Sequence, residues 1–382
     1  MAYGHISLKI LQKYEKFIAT QSTLESQANY GILLLKDNII NMEVGNMITA
    51  RENYRRRLAG ENPEWIPIAG VRNADSKAIM PRMNKEFIAR HFVFDGEPPY
   101  QYGDNIYRSD WFDLDWEFVP AVGGSTVHPG APKVPDITHW EDYVSVPTID
   151  MFDFADCYEK NKDYFEPGVF SETVIMTGFW ERLMSLMDVE NAAIALIDDE
   201  QQDGVHRLFD QLSDFYCQYF TEMKKYFDLD MVQVHDDWGH QHSTFFSPDT
   251  AREMIAPYIK KVADCAHSLG MFFDLHSCGK NETLVPVYIE MGVDLWAPQL
   301  MNDIYGLAQK YKGSGLFFGV HEHPDLPAGM PEKDIIQAAH DWVEKYIDLD
   351  TVAFFMPRPG EENLEIFKQE VKEYSAKVFA NR

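Results

Sequence analysis

Cysteine is scarce in this chain. Four residues out of 382 (Cys157, Cys217, Cys265 and Cys278) are too few and too widely spaced for a disulfide framework, and they point to a reducing, cytoplasmic setting. No stretch approaches the roughly 18 uninterrupted apolar residues of a membrane span. The opening Met-Ala-Tyr-Gly-His has no basic segment followed by an apolar core, so no secretory signal is expected. Positive charge is also in short supply: 34 Lys and Arg face 61 Asp and Glu, leaving a formal charge of −27. Such a chain repels phosphate backbones and anionic lipid, so neither nucleic acid nor membrane is an expected partner. No Gly-x-Gly-x-x-Gly follows a strand-like run, and neither a Gly-x-Ser-x-Gly elbow nor a Walker sequence occurs. Simple dinucleotide, serine-hydrolase and P-loop chemistries are thereby set aside.

What is present is an ordinary globular composition, 45% apolar and 25% charged. Residues 1–60 read as a helical extension, with an exposed basic turn at Arg51–Leu58 ending at Gly60. A first strand is expected at Trp65–Ala69 and a second within Asp110–Val119, with Val122–Gly130 as a loop crossing a cleft. From residue 170 the pattern becomes regular. Short apolar runs at Thr173–Thr177, Met231–Val234, Phe272–Leu275, Asp294–Ala297, Leu316–Val320 and Val352–Met356 alternate with helical segments. One helix has Ser247 as N-cap, Pro248 at its first position and Gly270 as its stop. Six clear strand–helix units, preceded by two less regular ones, fit a (β/α)8 barrel over residues 61–382. An open doubly wound sheet is the alternative.

In a barrel, strand exits converge on one mouth, and here they are rich in His and Asp. Phe272-Phe273-Asp274-Leu275-His276-Ser277-Cys278-Gly279 is the most informative stretch. A strand's period of two puts His276 and Cys278 on one side, where they offer two ligands to a zinc-like ion, or else form a packed cysteine beside a hydrogen-bonded histidine. The Met231 run ends in His235-Asp236-Asp237-Trp238-Gly239-His240. Of the paired carboxylates only one can face the mouth, as acid, base or substrate clamp. Gln299 follows Trp296, with Asn302 and Asp303 close behind. His321-Glu322-His323 ends the Leu316 run and Arg358 follows the last one. His321 and His323 suit either metal ligation or loop hydrogen bonding. Trp111, Trp116, Trp238 and Trp296 near loop ends suggest an aromatic-walled pocket. Asp237, His235 and Gln299 are candidate catalytic residues; Asp236, Trp238, His240, Trp296 and Arg358 are candidate substrate contacts.

Taken in order, His235-Asp236-Asp237-Trp238-Gly239, Phe246-Ser247-Pro248, Ile255-Ala256-Pro257-Tyr258, His276-Ser277-Cys278-Gly279 and Ile289-Glu290-Met291-Gly292-Val293-Asp294 resemble the uroporphyrinogen decarboxylase superfamily. The resemblance covers residues 170–382 well and implies a (β/α)8 barrel with its site at the C-terminal mouth. Arg55-Arg56-Arg57-Leu58-Ala59-Gly60 is a poor match to the arginine-rich motif, like Arg-Gln-Ala-Gly-Arg-Tyr, with which true decarboxylases bind porphyrinogen carboxylates. His-x-Cys-Gly is similar to the corrinoid-dependent methyltransferase branch, whose His and Cys bind zinc. Trp116-Glu117, Gly123-Gly124 and His128-Pro129-Gly130 resemble its O-demethylase-like subgroup.

The zinc branch usually supplies another Cys near the last strand, where this chain reads Met356-Pro357-Arg358-Pro359-Gly360-Glu361-Glu362. The resemblance therefore implies that Glu322, His321, His323 or Glu361 completes the ligand set, with Glu361 ranked behind the other three. The function implied is movement of a methyl group between a small methylated substrate, such as a methyl ether, and a corrinoid protein, with zinc assisting. The resemblance implies that the corrinoid arrives on a partner protein. Two alternatives are a tetrapyrrole decarboxylase, poorly suited to so acidic a chain, and a barrel that only binds a ligand. A homodimer is the commonest arrangement to expect.

Overall fold

The apolar runs become strands of one parallel sheet in the computed structural model, which describes residues 48–70, 74–79, 108–109, 111–119, 124–127, 130–163, 166–355 and 363–382. Its strands are β1 (Ile68–Ala69), β2 (Ser76–Ile79), β6 (Phe170–Ile175), β7 (Met231–His235), β8 (Phe272–His276), β9 (Leu295–Trp296), β10 (Phe317–Val320) and β11 (Thr351–Phe354). They pair in the order β1-β11-β10-β9-β8-β7-β6-β2, all parallel, and the two end strands lie beside each other to give a nearly closed barrel. Between β1 and β2, Asp75 takes the place of a backbone ladder. Its Oδ2 accepts the Ile68 N–H and the Trp65 indole N–H, each at 3.0 Å. The barrel expected from the alternating pattern is what forms, because strands covered by helices must be apolar on both faces.

The helix Ala50–Leu58 is not simply exposed. Tyr54 and Leu58 pack with Phe170, Met231, Leu295, Phe317 and Val352 at the barrel's N-terminal end. Arg57 is buried, donates to the Thr351 carbonyl at 2.9 Å and to the Leu349 carbonyl, and is pulled down to about 10 by burial. Arg51 and Arg55 pair with the buried Asp230.

Two further expectations are corrected. Asp115–Val119 is not a barrel strand but β4, the centre of a separate antiparallel sheet between β3 (Arg108–Ser109) and β5 (Gly124–Val127). Part of the expected cleft loop is therefore β5. The helix begun by Ser247 breaks at Ile255 into Pro248–Met254 and Ala256–Ser268. Pro257 has no N–H to give and its ring crowds the preceding turn. The longest helix among the described residues, Gln202–Tyr226, buries Val205, Leu208, Phe209, Leu212, Phe215, Tyr216, Tyr219, Phe220 and Met223, an apolar stripe of helical period.

Candidate metal centre

Strand register brings the key side chains together. His235 on β7 pairs with His276 on β8, and their rings stack with centroids 4.4 Å apart. His276 Nε2 lies 3.1 Å from Cys278 Sγ, so the two residues do share one side of the strand exit. Asp237 Oδ1 lies 3.7 Å from His235 Nε2 and 3.9 Å from His276 Nε2, and accepts the Cys278 N–H at 2.8 Å. The ligand atoms of His235, Asp237, His276 and Cys278 all fall within 4.8 Å of one another, the one such group of His, Cys and carboxylates among the described residues. Four donors around a zinc ion at its usual bond lengths stand roughly 3.3–3.8 Å apart. The set therefore fits a small, borderline-soft cation in donor type, number and spacing.

The surroundings hold this group in place. Glu181, buried in the first turn of Trp180–Met187, bonds His235 Nδ1 at 2.8 Å and leaves Nε2 facing Asp237. Gly279 has φ +88°, and a Cβ there would come within 2.2 Å of the Gly239 backbone. The β7 and β8 exit loops thus meet through two glycines. Ser277 Oγ accepts the Trp238 N–H at 2.9 Å, and Asn281 Nδ2 donates to Ser277 Oγ and the Cys278 carbonyl. Gln299 Oε1 accepts the Gly279 N–H at 2.8 Å, while Asn302 reaches the Gly279 carbonyl and the Asn281 N–H. Glu181, Ser277 and Asn281 were not singled out from the sequence. Only the strand-to-helix order places Glu181 near a strand exit, and nothing local marks its target.

Several expected residues lie elsewhere. Asp236 is fully buried and accepts the N–H groups of Phe179, Trp180 and Glu181 and the Trp238 indole N–H. It caps a helix instead of meeting substrate. Burial and the Glu181 charge push it up to about 7, while those donors pull it back. Trp238 and Trp296 are fully buried against Tyr288 and belong to the packing, not to a pocket wall. Trp111 and Trp116 are likewise packing residues of the core. His240 sits at the exposed rim, with Nε2 2.7 Å from Ser243 Oγ.

None of the proposed replacement ligands among the described residues joins the group. Glu322 is taken up by Lys345 at 2.8 Å and the Tyr346 hydroxyl at 2.9 Å, on the outer helix Glu332–Tyr346. His323 is buried with Nδ1 3.0 Å from the Pro324 carbonyl. His321 stacks on Phe354, and burial pulls it down to about 4, so it is neutral. Arg358 and Glu361 lie outside the described residues.

Earlier on the same strands is a second polar layer. Gln233 donates to Asp274 two residues before the two histidines. Asp274 is buried and held well above the carboxylate range by burial, and its Oδ1 is unpartnered. Glu172 on β6 is pushed up to about 7 by burial.

Residues 170–350 match the family described as uroporphyrinogen decarboxylase (URO-D). That match spans somewhat less than half of the chain. Its fold is similar to that of a methyltransferase from Methanosarcina mazei, with a TM-score of 0.55 at 16% identity over 87% of this chain and 100% of that one. At that identity the likeness speaks for the fold. An AP endonuclease of family 2 from Brucella melitensis gives a TM-score of 0.33 at 11% identity over 58% of this chain and 85% of its own. A D-psicose 3-epimerase from Clostridium cellulolyticum H10 gives 0.30 at 11% identity over 60% and 81%. A search of curated proteins finds no match. Among the described residues, no helix is long and apolar enough to cross a membrane.

Proposed function

We propose that this chain is a metal-assisted methyltransferase of the uroporphyrinogen decarboxylase superfamily, moving a methyl group between a small methylated substrate and a corrinoid carried by a partner protein. The observation carrying this reading is the His235, Asp237, His276 and Cys278 group at the barrel mouth. Its imidazole, thiolate and carboxylate donors match those of a zinc site. A zinc ion held there would act as a Lewis acid, stabilising negative charge on the heteroatom that loses or accepts the methyl group. The chain's own residues do the rest. Glu181 fixes the His235 tautomer, the Cys278 N–H anchors Asp237, and Gln299 and Asn302 hold the Gly279 turn. Farther down the strands, Glu172 carries a proton near neutral pH, because burial disfavours its anion.

Engagement of Arg51, Arg55 and Arg57 at the opposite end of the barrel speaks against the tetrapyrrole decarboxylase. Those guanidiniums are occupied by Asp230 and backbone carbonyls, away from the mouth that a polycarboxylate would need. The deciding experiment combines metal analysis of the purified protein with methylation of free cob(I)alamin by candidate methyl ethers, amines and alcohols. Stoichiometric zinc with methylcobalamin formation is expected. A metal-free protein that decarboxylates uroporphyrinogen would overturn the reading.

A further inference from the structure

Outside the barrel mouth, two of the four thiols face each other across a pair of outer helices. Cys217 lies on Gln202–Tyr226 and Cys265 on Ala256–Ser268, and both are half-buried. Cys265 Sγ lies 3.8 Å from the Cys217 carbonyl oxygen and Cys217 Sγ lies 3.8 Å from the Lys261 carbonyl oxygen, so each thiol reaches the backbone of the other's helix. We propose that Cys217 and Cys265 form a hydroperoxide-reactive thiol pair that closes to a reversible disulfide, a modification site separate from the metal group.

The chemistry assigns the roles. The hydrogen bond from Cys217 holds Cys265 down at about 7, with Thr221 helping, while the same pairing pushes Cys217 up. Cys265 is therefore the more readily ionised of the two, and the thiolate is the nucleophile. Its sulfur attacks a peroxide oxygen: an S–O bond forms, the O–O bond breaks, and the departing hydroxide leaves as water after gaining a proton. Cys217 sulfur then attacks the sulfenic sulfur of Cys265. An S–S bond forms, the S–O bond breaks, and the leaving hydroxide takes the Cys217 proton. In sum, two thiols are oxidised and one peroxide is reduced to two waters, or to water and an alcohol for an organic hydroperoxide. The helix bearing Cys217 leads into β7 and that bearing Cys265 into β8, so the bond would tie together from outside the strands that carry His235 and His276.

The test treats the purified full chain with hydrogen peroxide and counts thiols under denaturing conditions. A Cys278→Ser variant is run in parallel to remove the thiol of the metal group. The expected result for both proteins is loss of a pair of thiols, a mass decrease of about 2 Da reversed by dithiothreitol, and a peptide linking Cys217 to Cys265. In Cys217→Ser, Cys265 is expected to stop at a sulfenic acid that dimedone traps. Oxidation confined to Cys278, or a Cys278→Ser protein that keeps all its thiols, would overturn the proposal.

Discussion

Glu181 bonds His235 Nδ1 at 2.8 Å from a different strand–helix unit, and so decides which imidazole nitrogen faces Asp237 and His276. A carboxylate behind a ligating histidine fixes its tautomer and raises its basicity. Glu181→Gln keeps the shape but removes the charge. Zinc affinity should fall about 10- to 100-fold while the folded spectrum is retained. Competition with a chromophoric chelator measures this, and unchanged affinity would mean that His235 is not a ligand.

The completing ligands are expected inside the group. Asp237→Asn and Cys278→Ala should each lower zinc stoichiometry, whereas Glu322→Gln, His321→Ala and His323→Ala should leave it unchanged. Zinc lost from Glu322→Gln alone would move the site toward the β10 exit.

Gly279→Ala tests the loop contact. The substitution forces a non-glycine residue to φ +88° and drives a Cβ into the Gly239 backbone. Left-handed strain and the overlap together should cost about 3 kcal/mol or more. Chemical denaturation of parent and variant gives the number; a loss within experimental error would show that the loops can part freely.

Stability should depend on pH through Glu172. Its folded pKa, about 7, stands above its ordinary 4.5, so the folded chain keeps a proton that the unfolded chain has released. The contribution is fully present below about pH 4.5 and is lost as pH rises through 7, up to roughly 3 kcal/mol. Glu172→Gln cannot ionise and should flatten this part of the slope in urea midpoints taken from pH 5 to 8. Asp236, also raised to about 7, leaves its own share of the slope. An identical slope in the variant would remove Glu172 as its source.

The strand–helix period made the barrel legible from residue 170 onward, because a parallel strand buried on both faces is written as an unbroken apolar run. Before residue 130 that signal fails. Ser76–Ile79 reads as polar yet is the second barrel strand, while the aromatic Asp115–Val119 belongs to the side sheet. His276 and Cys278 follow from period alone, since residues two apart on one strand share a side. His235 and Asp237 were visible as residues but not as members of the metal group, because their meeting with His276 depends on the β7–β8 register. Glu322 shows the opposite failure. Its place at a strand exit suggested a ligand, but Lys345 and Tyr346 on the next helix offered nearer partners.

The mouth also offers a place for the proposed corrinoid partner. Leu300 is 58% exposed and Met301 38%, directly after Gln299, and Phe245 on the β7 exit loop is 39% exposed. Large apolar side chains left exposed beside a site are costly in water and can mark docking surfaces. Leu300→Asp and Met301→Asp place charge on that rim without touching the metal group. The Michaelis constant for a corrinoid protein should rise about tenfold or more, since a buried interface charge costs at least 1.4 kcal/mol or so. Turnover with free cob(I)alamin, which needs no protein interface, should stay near the parent's. If both acceptors suffer equally, the rim shapes the site itself and the partner docks elsewhere.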